Sequence, residues 1–173
     1  MAKNNPYALK CNGSNTWVKI PKTPEVTPTE QVTVMALAYN SNWSLIDKKD
    51  IVCNFQDGGY GIVCNDTNSG IGFVIHSGGY KNASVSLDTL TNGWHVFTGT
   101  FDGESIIFYI DGKEVARTLQ TGVIFYDANT PLAIGANPTS TGANYGYWYG
   151  IIDNVSIWNK ALTQEEIQYY MNR

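Results

Sequence analysis

The stretch Trp94 to Thr118, WHVFTGTFDGESIIFYIDGKEVART, constrains this chain most: Asp102-Gly103 and Asp111-Gly112 punctuate three runs rich in β-branched and aromatic residues. Asp and Gly tolerate the positive φ that tight hairpin turns require. Phe97, Ile106, Ile107, Phe108 and Ile110 supply the half-buried pleated surface between the turns. The stretch reads as a β-meander, and similar runs recur along the chain at short intervals. Tyr7 to Cys11 and Thr16 to Ile20 form an expected ribbon around Asn12-Gly13, and Pro21, Pro24 and Pro28 then force an extended connection. Gln31 to Tyr39 is apolar on both faces, as a central strand is. Ser44 to Ile46, Ile51 to Phe55, Tyr60 to Cys64, Gly72 to Ile75, Ala83 to Leu87, Leu132 to Ile134 and Tyr149 to Trp158 complete the expected strands, with loops over Leu119 to Pro131 and Gly135 to Tyr147. One helix is expected, at about Gln164 to Tyr170. Thr163 and Glu166 fit a capping box, and Leu162 and Ile167 fit a hydrophobic staple.

The fold class that follows is all-β, an antiparallel jelly-roll sandwich with one short C-terminal helix. At 173 residues the chain is expected to form one domain over 1–173, burying roughly 70% of the surface its unfolded form exposes. Its 17 glycines and 15% charged residues, against a usual charged fraction of about 25%, suit a turn-rich sandwich. A net charge of −4, with no basic cluster beyond Lys48-Lys49, lacks the electrostatic footprint of a nucleic-acid binder. Apolar runs fall well short of the ~20 residues that span a bilayer, and MAKNNPYALK carries no apolar signal core. As written, the chain is expected to be soluble and not self-exported. Three cysteines do not complete a disulfide set. A two-residue turn at Gly58-Gly59, closed by Asp57 and Tyr60, would set Cys53 opposite Cys64, on a hydrogen-bonded pair where side chains stand further apart; the bridge is left open.

Four motifs in order, ALKCNGSNTWVKIP, the hairpin around GGYGI, the WHVFTGTFDG…YIDGKEVA meander and GIIDNVSIWNKALTQEEIQ, resemble the laminin-G-like (concanavalin-A-like) jelly-roll domains over nearly the whole chain. The resemblance implies a glycan-binding domain that seldom acts as an enzyme. The jelly-roll glucanases of this architecture carry a Glu-x-Asp-x-x-Glu strand, because retaining hydrolysis needs two carboxyls about 5 Å apart. That pattern is absent here. Glu25 and Glu30 border the proline-rich connection, Glu104 and Glu114 flank turns, and Glu165 and Glu166 belong to the helix cap. His76 and His95 have no metal-ligand spacing, and no catalytic group is expected.

Period-2 alternation places Asp153 on one face with Ile151, Val155 and Ile157, toward the core. Such a carboxylate has two readings. It holds Ca²⁺ with carbonyl oxygens and Asn12 or Asn15, as several relatives of the resembled family do, or it accepts backbone N–H bonds. Many of those relatives carry Asp where this chain has Asn12, which thins the ligand set. Sugars present apolar C–H faces and a rim of hydroxyls, so glycan sites combine exposed rings with polar side chains. Asn144, Tyr145, Tyr147 and Trp148 in one loop and Asn42 and Trp43 in another have that chemistry, with Tyr60 and Tyr80 joining after Gly-Gly pairs. Alternation alone turns either Trp148 or Tyr149 inward, and Trp17, Trp94 and Trp158 are assigned to the core or a loop seal. The expected function is a non-catalytic, lectin-like module for a glycan or polysaccharide, with Ca²⁺ as its candidate ion. The alternative is a structural domain, such as a phage capsid-decoration or tail-fibre protein, packed on a protein scaffold.

Overall fold

The computed structural model describes residues 7–54, 58–65 and 70–172, with the side chains of Leu45 and Asn144 outside that description. In chain order the strands are β1 Leu9–Asn12, β2 Val18–Ile20, β3 Val32–Asn40, β4 Lys49–Cys53, β5 Tyr60–Cys64, β6 Ile71–His76 and β7 Tyr80–Val85. Then follow β8 Gly93–Phe101, β9 Ser105–Ile110, β10 Lys113–Leu119, β11 Leu132–Ile134, β12 Asn137–Thr139, β13 Gly142–Tyr145, β14 Tyr149–Trp158 and the helix α1 Gln164–Met171. One sheet has the order β1-β14-β3-β8-β9-β10 and the other β2-β11-β4-β5-β6-β7, with every pairing antiparallel. They face each other as a jelly-roll sandwich.

Alternation builds the interior. Val34, Ala36 and Ala38 of β3, Phe97 and Phe101 of β8, and Ile106 and Phe108 of β9 meet Ile62, Ile71, Phe73 and Ile75 from the second sheet. The layers come close at Gly99, where a Cβ would sit 2.0 Å from the Phe73 ring. Glycine is the only residue that lets that ring lie flat on β8. The meander turns differ from each other. Asp111 and Gly112 both take positive φ (51° and 72°) between the pair Ile110 and Lys113, the two-residue geometry that Asp-Gly favours. At the first turn only Gly103 does, and Asp102 Oδ1 instead accepts N–H bonds from Glu104 and Ser105.

The C-terminal signature holds in detail. Thr163 and Glu166 make both capping-box bonds, while Leu162 and Ile167 bury with Met35, Ile107 and Tyr109 on the outer face of the first sheet. Thr33 ties the segment down: its Oγ1 donates to the Lys160 carbonyl and accepts from Leu162 N–H. Fully burying two such aliphatic side chains stabilises by about 1.5–3 kcal/mol each. The helix therefore roofs one half of that face and leaves the other half open.

Five expectations are corrected. The ribbon expected of Tyr7 to Cys11 with Thr16 to Ile20 does not form: β1 pairs with β14 in the first sheet and β2 with β11 in the second. Ser44 to Ile46 is not a strand: Trp43–Leu45 forms a 3₁₀ turn. The loop expected over Gly135 to Tyr147 contains the β12–β13 hairpin, with Pro138 at its register shift. The hairpin between β4 and β5 closes on Asn54, whose N–H donates to the Tyr60 carbonyl and whose Oδ1 accepts Tyr60 N–H; Asp57 lies outside the described residues. Cys53 consequently pairs with Gly61 and Cys64 with Lys49, the two thiols occupy opposite faces, and none of the three cysteines is in a disulfide. Finally, Asn154 adopts φ 48° at a register shift between Asp153 and Ser156. The extra residue resets the alternation. Ile152 is the inward residue before it and Val155 and Ile157 pack inward after it, so Ile151 and Asp153 face outward.

Candidate functional site

The open half of the first sheet's outer face is built by residues that alternate against the core. On β8, His95 and Phe97 point in, so Trp94 and Val96 point out. On β3, Ala36 and Ala38 point in, so Leu37 and Tyr39 point out. Tyr39 and Trp94 are register partners, with ring centroids 5.4 Å apart at 54°. Trp94 remains 46% exposed. From this ridge a groove of about 600 Å³ runs over Leu37 and Val96 to Trp158 and Tyr170, whose rings lie 5.1 Å apart at the helix wall.

Its rim is polar. Asp111, Asn154, Ser156 and Asn172 line it, and Asp111 is the only charged side chain among the lining residues unless His95 is protonated. The Asp111 carboxylate is anchored from below: Oδ1 accepts Val96 N–H at 2.9 Å, and Oδ2 accepts from His95 Nδ1 at 2.7 Å. His95 Nε2 lies 2.7 Å from the Thr91 carbonyl. The histidine is thus a buried strut beneath the carboxylate, and Asp111 keeps 49% of its side chain exposed. Flat rings beside fixed hydrogen-bonding groups give a surface that stacks on an apolar ligand face while bonding its polar edge.

The aromatic platform expected in the loops is not assembled. Trp43, Tyr60 and Trp148 are 0% exposed. Trp43 packs on Trp148 at 5.5 Å and on Phe97 at 5.2 Å, and its Nε1–H donates to the Gly93 carbonyl. Tyr60 donates its hydroxyl to the Val26 carbonyl. Of the pair at the start of the last strand, Trp148 turns inward and Tyr149 outward, at 64% exposed. Tyr145 is exposed and Tyr147 half-buried, and both line a shallow depression with Asp47, Lys48 and Lys49; the Tyr147 hydroxyl is spent on the Ala143 carbonyl. Asn42 is exposed, and its N–H donates to Asn40 Oδ1. Tyr80 is exposed on the other sheet, edge-on to His76 at 4.9 Å. The side chain of Asn144 lies outside the described residues. Sequence reasoning missed Trp94, Tyr39 and Trp158. Counting alternation outward from Phe97 places Trp94 on the solvent face, a signal that was present.

The residues expected to hold Ca²⁺ do not converge. Asn12 pairs with Tyr149, and Asp153 lies four residues further along β14, roughly 13 Å away. Asn12 Oδ1 already accepts from Ser14 N, Ser14 Oγ, Asn15 N and Thr16 N, while its Nδ2 donates to Asn15 Oδ1. The carboxamide shapes the turn and has no lone pair left for an ion. Asp153 Oδ1 accepts the Asn154 N–H at the bulge. Among the described residues no three His, Cys, Asp or Glu side chains cluster as a metal site, and no helix is long and apolar enough to cross a membrane.

A two-sheet jelly roll whose outer face bears an aromatic groove defines a lectin-type sandwich. The chain belongs to the concanavalin A-like lectin/glucanases superfamily: the Laminin_G_3 family model matches residues 12–168. No curated protein matches it. Among solved structures it is similar to domain 4 of AbnA, an extracellular GH43 arabinanase of Geobacillus stearothermophilus, solved with arabinotriose (16% identity, 98% of this chain, 78% of that one, TM-score 0.74). It is similar also to a Bacteroides ovatus protein assigned as carbohydrate-binding (20%, 94% and 47%, 0.68) and to domains LG4-5 of the mouse laminin α1 chain (14%, 90% and 44%, 0.64). This chain spans less than half the length of the last two. At these identities the likeness is one of fold.

Proposed function

We propose that the protein is a non-catalytic carbohydrate-recognition module that takes a neutral glycan on the open outer face of the first sheet. The observation that carries this reading is the Tyr39–Trp94 ridge, exposed beside a groove whose rim offers hydrogen-bonding groups and no lysine or arginine. Asp111 would repel an acidic polysaccharide, and no lysine or arginine stands in the groove wall to offset it. The carbohydrate-binding character of structures sharing the fold, one of them solved with arabinotriose, supports the same reading. Three of the six glutamates are engaged in ways that do not suit paired acid–base work. Glu114 is engaged by Arg117 at 2.7 Å, Glu166 by Lys160 and the helix cap, and Glu25 lies in a 3₁₀ turn. Affinity electrophoresis through gels containing arabinan, xylan, β-glucan or polygalacturonate tests the proposal. Retardation by a neutral polymer, abolished in Trp94→Ala and absent with polygalacturonate, is the expected result. Equal mobility of wild type and Trp94→Ala in every gel would overturn it.

A further inference from the structure

The Tyr39–Trp94 ridge has a second depression on its other side. It holds about 400 Å³ and is lined by Lys10, Asn12, Tyr39, Asn40, Tyr149 and Ile151. Trp94 forms a wall of the larger groove and Tyr39 a wall of this one, so the tilted aromatic pair is a shared partition. Both depressions lie along β14: the larger uses Asn154 to Trp158 and the smaller Tyr149 to Ile151. Tyr149 to Trp158 is a ten-residue strand, giving a track of roughly 30 Å. That exceeds the length of a disaccharide. The aromatic residues Tyr149, Tyr39, Trp94 and Trp158 occur along it at intervals, and the polar groups of the two depressions differ, with Asp111 in the larger and Lys10 in the smaller.

We infer that the two depressions act as successive subsites for one extended neutral glycan chain, which crosses the Tyr39–Trp94 ridge so that an internal segment is recognised instead of a chain end. This rests on the glycan reading above and adds to it the form of the ligand. A site for a terminal sugar needs one closed pocket around one ring. Here two open depressions share a stacking wall.

The test is calorimetric titration with a ladder of linear neutral oligosaccharides, disaccharide to hexasaccharide, taken from whichever polymer the wild type binds, on the wild type, Trp94→Ala and Tyr149→Ala. Tyr149 is exposed on the surface, so its truncation leaves the core intact, as an unchanged thermal melt will verify. Affinity is expected to climb by on the order of tenfold or more from disaccharide to pentasaccharide. Tyr149→Ala should remove most of that gain, weakening the pentasaccharide far more than the disaccharide, while Trp94→Ala weakens every length. Affinity that is level from the disaccharide onward, or a length dependence untouched by Tyr149→Ala, would overturn the two-subsite inference and leave the glycan reading standing. Absence of binding at every length would overturn both.

Discussion

Two aromatic pairs sit on either side of the same sheet. Trp43 meets Trp148 at 5.5 Å and 49°, and Tyr39 meets Trp94 at 5.4 Å and 54°. By ring geometry they are near twins, yet the first is fully sealed between the sheets while in the second Trp94 is open to water beside a half-buried Tyr39. The inner pair fills the space between layers, and Trp43 finds a carbonyl for its indole N–H. Of the outer pair, Trp94 is exposed and Tyr39 half-buried. An aromatic contact therefore does not say what a residue is for; the side of the strand on which it stands does. Buried rings contribute by area removed from water, and exposed rings remain available to a ligand.

The largest effect that separates the two regions is expected inside. Trp43→Ala should destabilise by about 3–5 kcal/mol through lost transfer energy and the cavity left between Phe97 and Trp148, read as a shift in urea midpoint. A loss below about 1 kcal/mol would show that the inner pair is not the seal described. The interior also sets an alkaline limit. Burial holds the Tyr60 and Tyr126 phenols well above their ordinary 10.0 and pushes the Cys11 thiol from 9.0 to about 11. The unfolded chain ionises these groups first, so their contribution is complete below pH 9 and falls as pH rises, by about 1.4 kcal/mol per group for each unit past the ordinary value until the folded group itself ionises. Urea midpoints at pH 8 and pH 11 will read it; equal midpoints would mean that these groups are wetter than the structure has them.

On the outer side, Trp94→Ala should cost about 1–3 kcal/mol of glycan affinity and leave the urea midpoint nearly unchanged. The reverse pattern would move Trp94 into the core. Smaller still, Tyr147→Phe should cost about 0.5–1.5 kcal/mol of stability through the lost bond to Ala143 and leave glycan affinity intact. Weakened affinity in that variant would return the loops to consideration. Asp153→Ala is expected to have the least effect, within about 1 kcal/mol, because the carboxylate faces outward and its bond to Asn154 is local. A loss of several kcal/mol would restore the core-facing register.

Most of the framework was legible because local chemistry specified it. The β8–β10 meander follows from Asp-Gly turns and alternation, the central place of β3 from its two apolar faces, and the C-terminal helix from Thr163, Glu166, Leu162 and Ile167. The site was less legible for two physical reasons. Glycine-rich and polar flanks around Trp43, Tyr60 and Trp148 look like loop tips, but loops at the end of a sandwich also fold back to cap its core, and large rings are what they cap with. Register was the second difficulty. One residue, Asn154, takes a left-handed conformation that Asn tolerates at little cost, and that alone turns Asp153 from the core to the surface. The Asp-Asn pair hinted at a bulge, but only the pairing with β3 reveals the slip.

The central claim is that ligand meets the open outer pair and not the loops. Indole N–H resonances of the ¹⁵N-labelled protein, followed while a neutral oligosaccharide is titrated in, test it most directly. The account predicts that the Trp94 resonance, assigned by Trp94→Phe, shifts with ligand while those of Trp43 and Trp148 stay in place. An unmoved Trp94 resonance, with perturbations gathered at Tyr145 and Tyr147, would contradict it.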